Sequence, residues 1–323
     1  MPETTFDVAF QKACTLTGAY PTQGFGAPRR GRLRRMHCNS SALVNDRERI
    51  ELAAFQYDMY RGNQQQFIEP HPGESDLEFE NRSYLRTLNL TRVIVDLLSG
   101  LYRLPVERRL EGGSQEWQDL LQTTWSAESV DNLMVTVDRL ARLQGTVAVQ
   151  PYWNGQSLKF RTFPNHRFCV LSDPADHTRC LAVITLSSGS LWDERGNMRS
   201  SAFADIWTAN EFARISGNKV VDRRQHGYGQ PPFAFFRDRH PVDDFWVEGR
   251  GRSLCYDNAV LNGRLTDLAQ VVALQGFGVM EVVNPDPSQE LQLVTARTPC
   301  GLLRRPLCFR SSHSNDVRSR RNS

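Results

Sequence analysis

Apolar side chains recur every three or four residues through the first half of the chain, which is the spacing of amphipathic helices. The first helix is predicted to begin after Asn45, because Asn45 or Asp46 can cap its start, and to end at Gly62. Its apolar face consists of Ile50, Ala53, Ala54, Tyr57 and Tyr60. Because the two tyrosines share this face with aliphatic residues, the pattern favours packing over chemistry for them.

Three more helices are predicted before residue 146. The stretch ENRSYLRTLNLTRVIVDLLSGLYRLPV is predicted to contain a helix that Gly100 and Pro105 end. Its wide apolar face indicates a helix largely covered by other parts of the protein. That face consists of Leu85, Leu88, Leu90, Ile94, Leu97, Leu98 and Leu101. Glu116 to Thr124 is predicted as a short helix, and Ser126 begins a longer one that closes at Gly145. The longer helix has a stripe of Val130, Leu133, Met134, Val137, Leu140 and Ala141.

After Gly145 the apolar period changes to two, which predicts β-strands. The segments TVAVQPYW and QSLKFRTF, joined by Asn154-Gly155, have the pattern of a β-hairpin. RFCVL and TRCLAVITL, separated by turn residues Asp173 to Asp176, repeat that plan. Weaker strands are predicted around Ala202–Trp207, Phe212–Ser216 and Pro232–Phe236. We therefore expect residues 146–236 to form an antiparallel meander.

A long helix is predicted from about Ser253 to Gln275, roughly 34 Å at 1.5 Å per residue. Gly276 and Gly278 end it, and VMEVV after them has the pattern of a strand. Its apolar stripe consists of Leu254, Leu261, Leu265, Leu268 and Val272. Helices, a β-meander and a long helix in this order predict an α+β fold.

Charge is distributed unevenly along the chain. Residues 1–50 carry a net charge of +4, residues 51–290 carry −7 and residues 291–323 carry +6. Residues 1–45 show no sustained period and contain RRGRLRR from Arg29 to Arg35, so they are predicted to form a basic, poorly ordered arm. Residues 291–323 form an atypical Arg- and Ser-rich tail without helical or strand period.

Composition excludes several classes of protein. Apolar residues make up 40% of the chain, yet no run approaches the about eighteen that a membrane-spanning helix requires. The start MPETTFDVAF lacks the basic and apolar regions of a secretory signal, so synthesis in a cytoplasm is expected. Seven scattered cysteines, with no C-x-x-C pair, do not suggest a disulfide framework.

The strongest candidate for chemistry is a possible zinc site made of two histidines and two cysteines, His166, Cys169, His177 and Cys180. Strand geometry argues against it, because residues three apart on a strand point to opposite faces. If Asp173–Asp176 forms the turn, Cys169 and Cys180 are expected to face each other across the hairpin as packed thiols. Asp243 and Asp244 are interpreted as turn residues.

Sequence motifs of the common enzymes are absent. The chain contains no phosphate-binding loop, dinucleotide-binding glycine motif or G-x-S-x-G nucleophile motif. We predict no catalytic, cofactor-binding or metal-binding residue, no cofactor and no enzymatic activity.

The order of the predicted elements resembles that of the portal proteins of tailed bacteriophages. The matching stretches cover about residues 46–290. They are YDMYRGN, NLTRVIVDLLSGLYRLPV, LARLQGTVAVQPYWNGQSLKFRTFPNHRFCVL, IWTANEFARI, GQPPFAFF and NAVLNGRLTDLAQVVALQGFG. The resemblance rests on their order rather than on any single motif.

This resemblance implies a ring of identical subunits, usually a dodecamer, at one capsid vertex of a phage or prophage. Double-stranded DNA would pass through the ring during packaging and ejection. Implied partners are the large subunit of the terminase motor, capsid and scaffolding proteins, and head–tail connector proteins. The protein would be made in the bacterial cytoplasm and act in the virion, with no membrane partner.

The resemblance also assigns regions of the chain. Residues 46–245 would form a wing-like α+β domain, 246–278 a stem-like helix, and 279–290 the start of a clip-like region. Portals continue through a second stem helix, a wing helix and a crown, which residues 291–323 do not match. The tail is therefore interpreted as the product of a truncated or frameshifted gene, such as a prophage remnant that no longer functions.

Two other functions remain open at this stage. The Arg29–Arg35 run could bind nucleic acid, which predicts salt-sensitive binding by the monomer. The residues His166, Cys169, His177 and Cys180 could instead build a zinc-dependent module, which metal analysis would detect. The acidic body favours a conduit over a DNA-gripping protein, because a tight grip on phosphate requires clustered Lys and Arg.

Overall fold

A computed structural model describes residues 4–19, 46–70, 74–75, 79, 85–102, 106, 111–127, 130–192, 198–216 and 219–275. The chain divides into two compact units, Met1–Val271 and Val272–Ser323. Every helix and strand named below lies in the first unit, except for the last turn of the final helix. The predicted α+β class is confirmed, since helices and two sheets alternate along this unit.

The predicted helices are present, with one addition near the start of the chain. Their bounds are α1 Thr5–Ala19, α2 Asp46–Arg61, α3 Leu90–Leu98, α4 Gln115–Ala127, α5 Val130–Gln144 and α6 Gly251–Gln275. Of these, α2, α4 and α6 match the sequence prediction closely, whereas α5 begins at Val130 and the predicted start, Ser126, lies in α4. In the part of the chain that is described, no helix combines the length and apolarity needed to cross a bilayer.

The strands form two antiparallel sheets rather than one meander. Their bounds are β1 Thr146–Trp153, β2 Leu158–Phe163, β3 Phe168–Ser172, β4 Cys180–Trp192, β5 Met198–Trp207, β6 Glu211–Ser216, β7 Lys219–Gln225 and β8 Ala234–Arg237. Strands β3 to β7 follow one another in a five-stranded sheet, whereas β8 returns to pair with β1 in a sheet of order β2-β1-β8. The single meander predicted for residues 146–236 is therefore wrong at two steps, because β3 begins the second sheet instead of pairing with β2, and β8 pairs with β1.

The first hairpin is present, but with a four-residue loop in place of the predicted Asn154-Gly155 turn. Trp153 pairs with Leu158 across this loop, so β2 begins at Leu158 rather than at Gln156, and Gly155 has a left-handed φ of +98°. The Asn154 side chain accepts hydrogen bonds from the backbone N–H groups of Gln156 and Ser157. Local turn chemistry is thus sufficient to fix this hairpin.

The core consists of three apolar clusters. The first lies among α2, α5, β1 and the start of α6, and includes Phe55, Met59, Val137, Leu143, Val147 and Cys255. The second joins α1 to one face of the five-stranded sheet, and includes Ala9, Ala13, Ile184, Ile206 and Ile215. The third covers the other face, and includes Phe163, Phe168, Val183 and Phe245. Because both faces of the sheet are buried, its central strands are apolar on both sides.

Residues near the start of the chain form α1, so the predicted disorder of residues 1–45 is wrong for Thr5–Ala19. Ala9 and Ala13 are fully buried against the sheet. Lys12 Nζ pairs with Asp46 Oδ2 at 2.5 Å and donates to the carbonyl oxygen of Val170 at 3.2 Å. The contact face is built from small residues, so it lacks the large apolar stripe by which helices are recognised. The Arg29–Arg35 run lies outside the described residues.

Apolar residues are exposed on α3, where the sequence predicted a largely covered helix, and on α6, for which the sequence predicted only an apolar stripe. Helix α3 is only nine residues long, and most of its leucines face solvent. On α6 the predicted stripe is likewise not the buried face, since Leu268 and Val272 are exposed. These departures leave apolar surface on two helices.

Three glycines allow the end of α5 to meet the start of α6 backbone to backbone. Gly145 follows α5 and has a left-handed φ of +87°. A Cβ atom added to Gly249 or Gly251 would lie 2.4 Å or 2.5 Å, respectively, from the carbonyl oxygen of Leu143. Only residues without a side chain fit at so short a separation, so these glycines fix where α6 starts relative to β1.

Candidate functional site

The four residues of the possible zinc site lie on different parts of the five-stranded sheet. His166 is in a short 3₁₀ turn before β3, and Cys169 is in β3. His177 is in the loop before β4, which Cys180 begins. Within the described residues, no group of three or more His, Cys, Asp or Glu side chains could hold a metal ion. Among these described residues, the four side chains do not form such a group.

The predicted pairing of Cys169 with Cys180 is wrong. Cys169 pairs with Ile184, and Cys180 pairs with Ser172 beside a register shift. The connection is longer than predicted, because Asp173 N–H donates to the carbonyl oxygen of Arg179 and closes the loop there. As a result, the two thiols belong to clusters on opposite faces of the sheet.

The Cys169 thiol lies beside a buried arginine that joins α2 to this sheet. Arg49 donates to Cys169 Sγ at 3.3 Å, to the carbonyl oxygen of Phe168 at 3.1 Å and to the side chain of Asn165. The Arg49 guanidinium also stacks 3.5 Å from the centre of the Trp246 ring. Burial raises the pKa of the Cys169 thiol to about 11, so it stays protonated and unreactive at neutral pH. These contacts connect α2 to the five-stranded sheet, which is a structural role.

His166 is held in its neutral form by a buried amide. The Gln144 amide is oriented by its own bonds: Oε1 accepts from Asn165 N–H at 3.0 Å, and Nε2 donates to the carbonyl oxygen of Ala53 at 2.7 Å. Nε2 therefore presents a hydrogen to His166 Nδ1, 3.3 Å away, which must accept it. Burial, with smaller effects from Arg167 and Arg49, lowers the His166 pKa to about 3. No proton-transfer role at neutral pH fits such a group.

The buried neutral His166 predicts a loss of stability in acid. Its pKa is lower in the folded protein than in the unfolded chain, so stability is complete above about pH 6.5 and falls as pH drops toward 3. The slope from this group reaches about 1.4 kcal/mol per pH unit. Urea unfolding between pH 4.5 and 7.5 should show a flatter pH profile for His166→Gln than for the unmodified chain. Parallel profiles for the two proteins would contradict the assignment.

A row of polar side chains on α6 is buried against the segment that precedes α3. This polar row consists of Asn258, Asn262 and Thr266, which share one helix face because they are four residues apart. Thr266 Oγ1 accepts from the backbone N–H of Arg86 at 3.0 Å, and Asn262 Oδ1 accepts from that of Leu88 at 2.8 Å. The helix thus holds an extended backbone segment through side-chain hydrogen bonds.

The same row reaches into a buried amide network. Asn258 Nδ2 donates to the carbonyl oxygen of Leu88 at 2.8 Å, while Asn258 Oδ1 accepts from the N–H and the hydroxyl of Thr91, both at 2.9 Å. Asn262 Nδ2 donates to Gln64 Oε1 at 2.7 Å. These residues were not singled out from the sequence, although polar residues repeated every four positions were a visible signal.

Helix α3 and the residues that flank it carry exposed apolar side chains. This α3 patch consists of Val93, Leu97 and Leu98 in the helix, with Leu88 before it and Leu101 after it. Leu97 is 71% exposed, whereas Thr91 and Val95 on the opposite face are buried. Contiguous exposed apolar side chains on a protein surface mark contacts with other macromolecules.

Helix α6 has two further apolar strips on its outer side. The first, the leucine seam, consists of Leu261, Leu265 and Leu268, of which Leu268 is 57% exposed. The second, the valine pair, consists of Val260 and Val271. Together with the α3 patch, these strips are the candidate functional surfaces of the described chain.

Two further residues from the sequence analysis, Asp243 and Asp244, lie in a bend, as predicted, and the Asp244 carboxylate accepts the N–H of Phe245 at 2.6 Å. The open cleft near the start of α1, about 1010 Å³, is lined by mixed polar and aromatic residues that include Arg179, Arg223 and Phe233.

A scan against models of known protein families found no match, and a search of curated proteins found no similar sequence. The resemblance to portal proteins therefore stays a prediction from the order of the elements.

Proposed function

We propose that this chain is a non-enzymatic structural subunit of a phage portal ring. In this role, copies of the chain assemble at one capsid vertex, and double-stranded DNA passes through the ring during packaging and ejection. The partners are then the terminase motor, capsid and scaffolding proteins, and head–tail connectors. The proposal combines the order of elements in the sequence with the surfaces of the described helices.

The observation that carries the proposal is the α3 patch, because several large apolar residues are exposed together on and beside this one helix. Side chains such as Leu97 cost free energy when exposed, about 25 cal/mol for each square ångström of apolar surface. A second protein surface removes that cost. A cyclic ring uses two different faces of each subunit, and apolar surface on both α3 and α6 provides for more than one contact.

Charge and chemistry support a conduit over an enzyme. The net charge of −7 over residues 51–290 disfavours a tight grip on phosphate and favours sliding of DNA. The side chains of His166 and Cys169, which were candidates for chemistry, make structural contacts. These features fit a subunit whose work is mechanical.

Assembly of the purified full-length chain tests the proposal. Mass photometry and negative-stain microscopy should show closed rings of identical subunits, because the exposed apolar surfaces are removed from water only in an assembly. The measurement is made over a range of protein concentrations and at low and high salt. A monomer under every condition would contradict the proposal. A monomer that also bound DNA only at low salt would favour the nucleic-acid-binding alternative.

A further inference from the structure

We propose that the open edge of the five-stranded sheet, at strand β7, binds an extended acidic segment of another protein as a sixth strand. The site, called the β7 edge, consists of the outward-facing backbone groups of Arg223 and Gln225 and the cleft beside them. The inference goes beyond the proposed function and does not depend on ring assembly.

The pairing of β7 with β6 shows which backbone groups of β7 are open. His226 N–H donates to the carbonyl oxygen of Asn210 at 2.7 Å, so these two residues form a hydrogen-bonded pair. Because such pairs alternate along an antiparallel ladder, Arg224 also bonds toward β6, whereas the N–H and C=O groups of Arg223 and Gln225 point away from it. Among the described residues, β7 has a neighbouring strand on one side only. The β7 edge therefore presents the N–H and C=O groups of two residues for pairing.

The other edge of the same sheet is covered by side chains. On β3, the carbonyl oxygen of Phe168 accepts from Arg49 Nη2 at 3.1 Å, and that of Val170 accepts from Lys12 Nζ at 3.2 Å. Strand edges that are not covered in such a way pair readily with other chains. Cationic side chains thus occupy part of the β3 edge, and in the part of the chain that is described the β7 edge has no such cover.

The charge of β7 selects an acidic occupant. The strand carries three basic residues, Lys219, Arg223 and Arg224, and one acidic residue, Asp222, which gives it a net charge of +2. The side chains of Arg223 and Arg224 each pair with a carboxylate but remain 56% and 74% exposed. Opposite charges on neighbouring strands stabilise their pairing. Acidic side chains on a sixth strand would therefore complement the two arginines.

The same charge disfavours the occupants that this chain could itself supply. A second copy of β7 would place like charges along a shared edge, which destabilises pairing. Both ends of the chain are basic as well, with +4 over residues 1–50 and +6 over residues 291–323. An acidic segment of another protein is thus the complement that fits the β7 edge.

The cleft at the end of β7 provides a pocket for one side chain of the occupant. Arg223 and Gln225 line this cleft together with the aromatic rings of Phe6, Phe233 and Phe235. The Arg223 guanidinium lies 4.3 Å from the centre of the Phe6 ring. When a strand is added to a sheet edge, backbone bonds provide affinity and side-chain pockets provide specificity. We therefore expect the acidic segment to contain an aromatic residue that enters the cleft.

A synthetic peptide tests the β7 edge in the full-length chain. The probe is a fluorescein-labelled peptide of alternating glutamate and valine with one phenylalanine near its end. The competitors are the same peptide without the label and a peptide with lysine in place of glutamate. In fluorescence anisotropy, the glutamate peptide should displace the probe at a concentration at least about tenfold lower than the lysine peptide. A probe that does not bind, or equal displacement by the two peptides, would overturn the inference.

The variant Gln225→Pro separates backbone pairing from side-chain contact. Proline removes the outward N–H at this position and leaves the bonds that Arg224 and His226 make toward β6, so the sheet should stay folded. Gln225→Ala keeps that N–H and is the matched control. The proline variant should bind the probe about tenfold more weakly than the alanine variant, because it loses one hydrogen bond and adds a ring at the edge. Equal binding by two variants that urea unfolding shows to be folded would overturn the inference.

Hydrogen exchange identifies the occupied groups without any substitution. The amides of Arg223 and Gln225 should exchange rapidly in the chain alone and slowly with the glutamate peptide bound, whereas the Arg224 amide is protected in both cases. Protection of the two outward amides in the chain alone would mean that a segment of this chain or, where protection rises with concentration, a second copy occupies the edge. Either result would overturn the inference. A chain that binds the peptide but forms no rings would refute the portal proposal and leave this inference standing.

Discussion

Replacing Gly145 with alanine is expected to leave little folded protein. An added Cβ would lie 1.9 Å from the carbonyl oxygen of Val247 and 2.5 Å from the backbone nitrogen of Gly249. These neighbours are backbone atoms, so they cannot move aside as the tip of a side chain could. The backbone at Gly145 is also left-handed, a conformation that costs alanine about a further 1 kcal/mol of stability. We expect the free energy of unfolding to fall by about 4 kcal/mol or more.

Urea unfolding followed by circular dichroism measures this effect. Gly155 provides the control, because it has a similar φ of +98° but nothing within 4 Å of an added Cβ. Gly155→Ala should therefore lower the free energy of unfolding only by the cost of the left-handed backbone, about 1 kcal/mol. Comparable losses at the two positions would show that the close approach of β1 to the start of α6 contributes nothing to stability.

Truncating Asn258 to alanine is expected to cost about 3 kcal/mol, the second-largest effect. The Thr91 N–H and hydroxyl and the Leu88 carbonyl oxygen would all lose their hydrogen bonds to this side chain. Thr91 is fully buried, so water does not replace the lost partner without rearrangement. Each buried polar group left unpaired costs about 1–3 kcal/mol.

Two measurements check the Asn258 prediction. Urea unfolding gives the loss of stability, and hydrogen exchange should show faster exchange at the amide of Thr91 in particular. Asp257→Ala is the control, because Asp257 is the neighbouring residue on the exposed side of α6 and its loss should change stability by less than about 0.5 kcal/mol. If Asn258→Ala behaved like this control, the polar row could not be what orients α6.

The elements predicted well from sequence are those that local chemistry determines. Asn154 and Gly155 specify the first hairpin within four residues, and Gly62 and Gly145 end α2 and α5 with left-handed backbones. A single stretch of chain contains all the information for such features. The prediction of α2, α5, β1 and β2 therefore needed no knowledge of the rest of the molecule.

The elements predicted poorly depend on partners distant in the sequence. Helix α1 was missed because Ala9 and Ala13 are buried through their small size against a sheet more than 150 residues away. Strand β7 was missed because nearly all of its residues are exposed, which removes the alternating pattern. Whether a residue of α1 or β7 is buried depends on the element that packs against it. The spacing of apolar residues describes only the segment itself.

The candidate surfaces show the same limit in a different way. The apolar faces of α3 and α6 were recognised from the sequence, and the α3 face was expected to be largely covered. Beyond Ala259, the described residues of α6 that are buried are Asn262 and Thr266 of the polar row, because the adjacent segment offers backbone N–H and C=O groups to be paired. The hydrophobic pattern of α6 alone does not show which of its faces is buried.

The return of β8 to β1 has a consequence for the order in which the protein folds. Val147 pairs with Phe236, so this contact closes a loop of nearly ninety residues, and the five-stranded sheet lies within that loop. Its hairpins join neighbouring strands and can form early, whereas the β1–β8 pairing incurs a large loop-closure entropy unless the inserted sheet is already compact. We therefore expect the pairing of β8 with β1, and the start of α6 that follows β8, to become stable only after the larger sheet has formed.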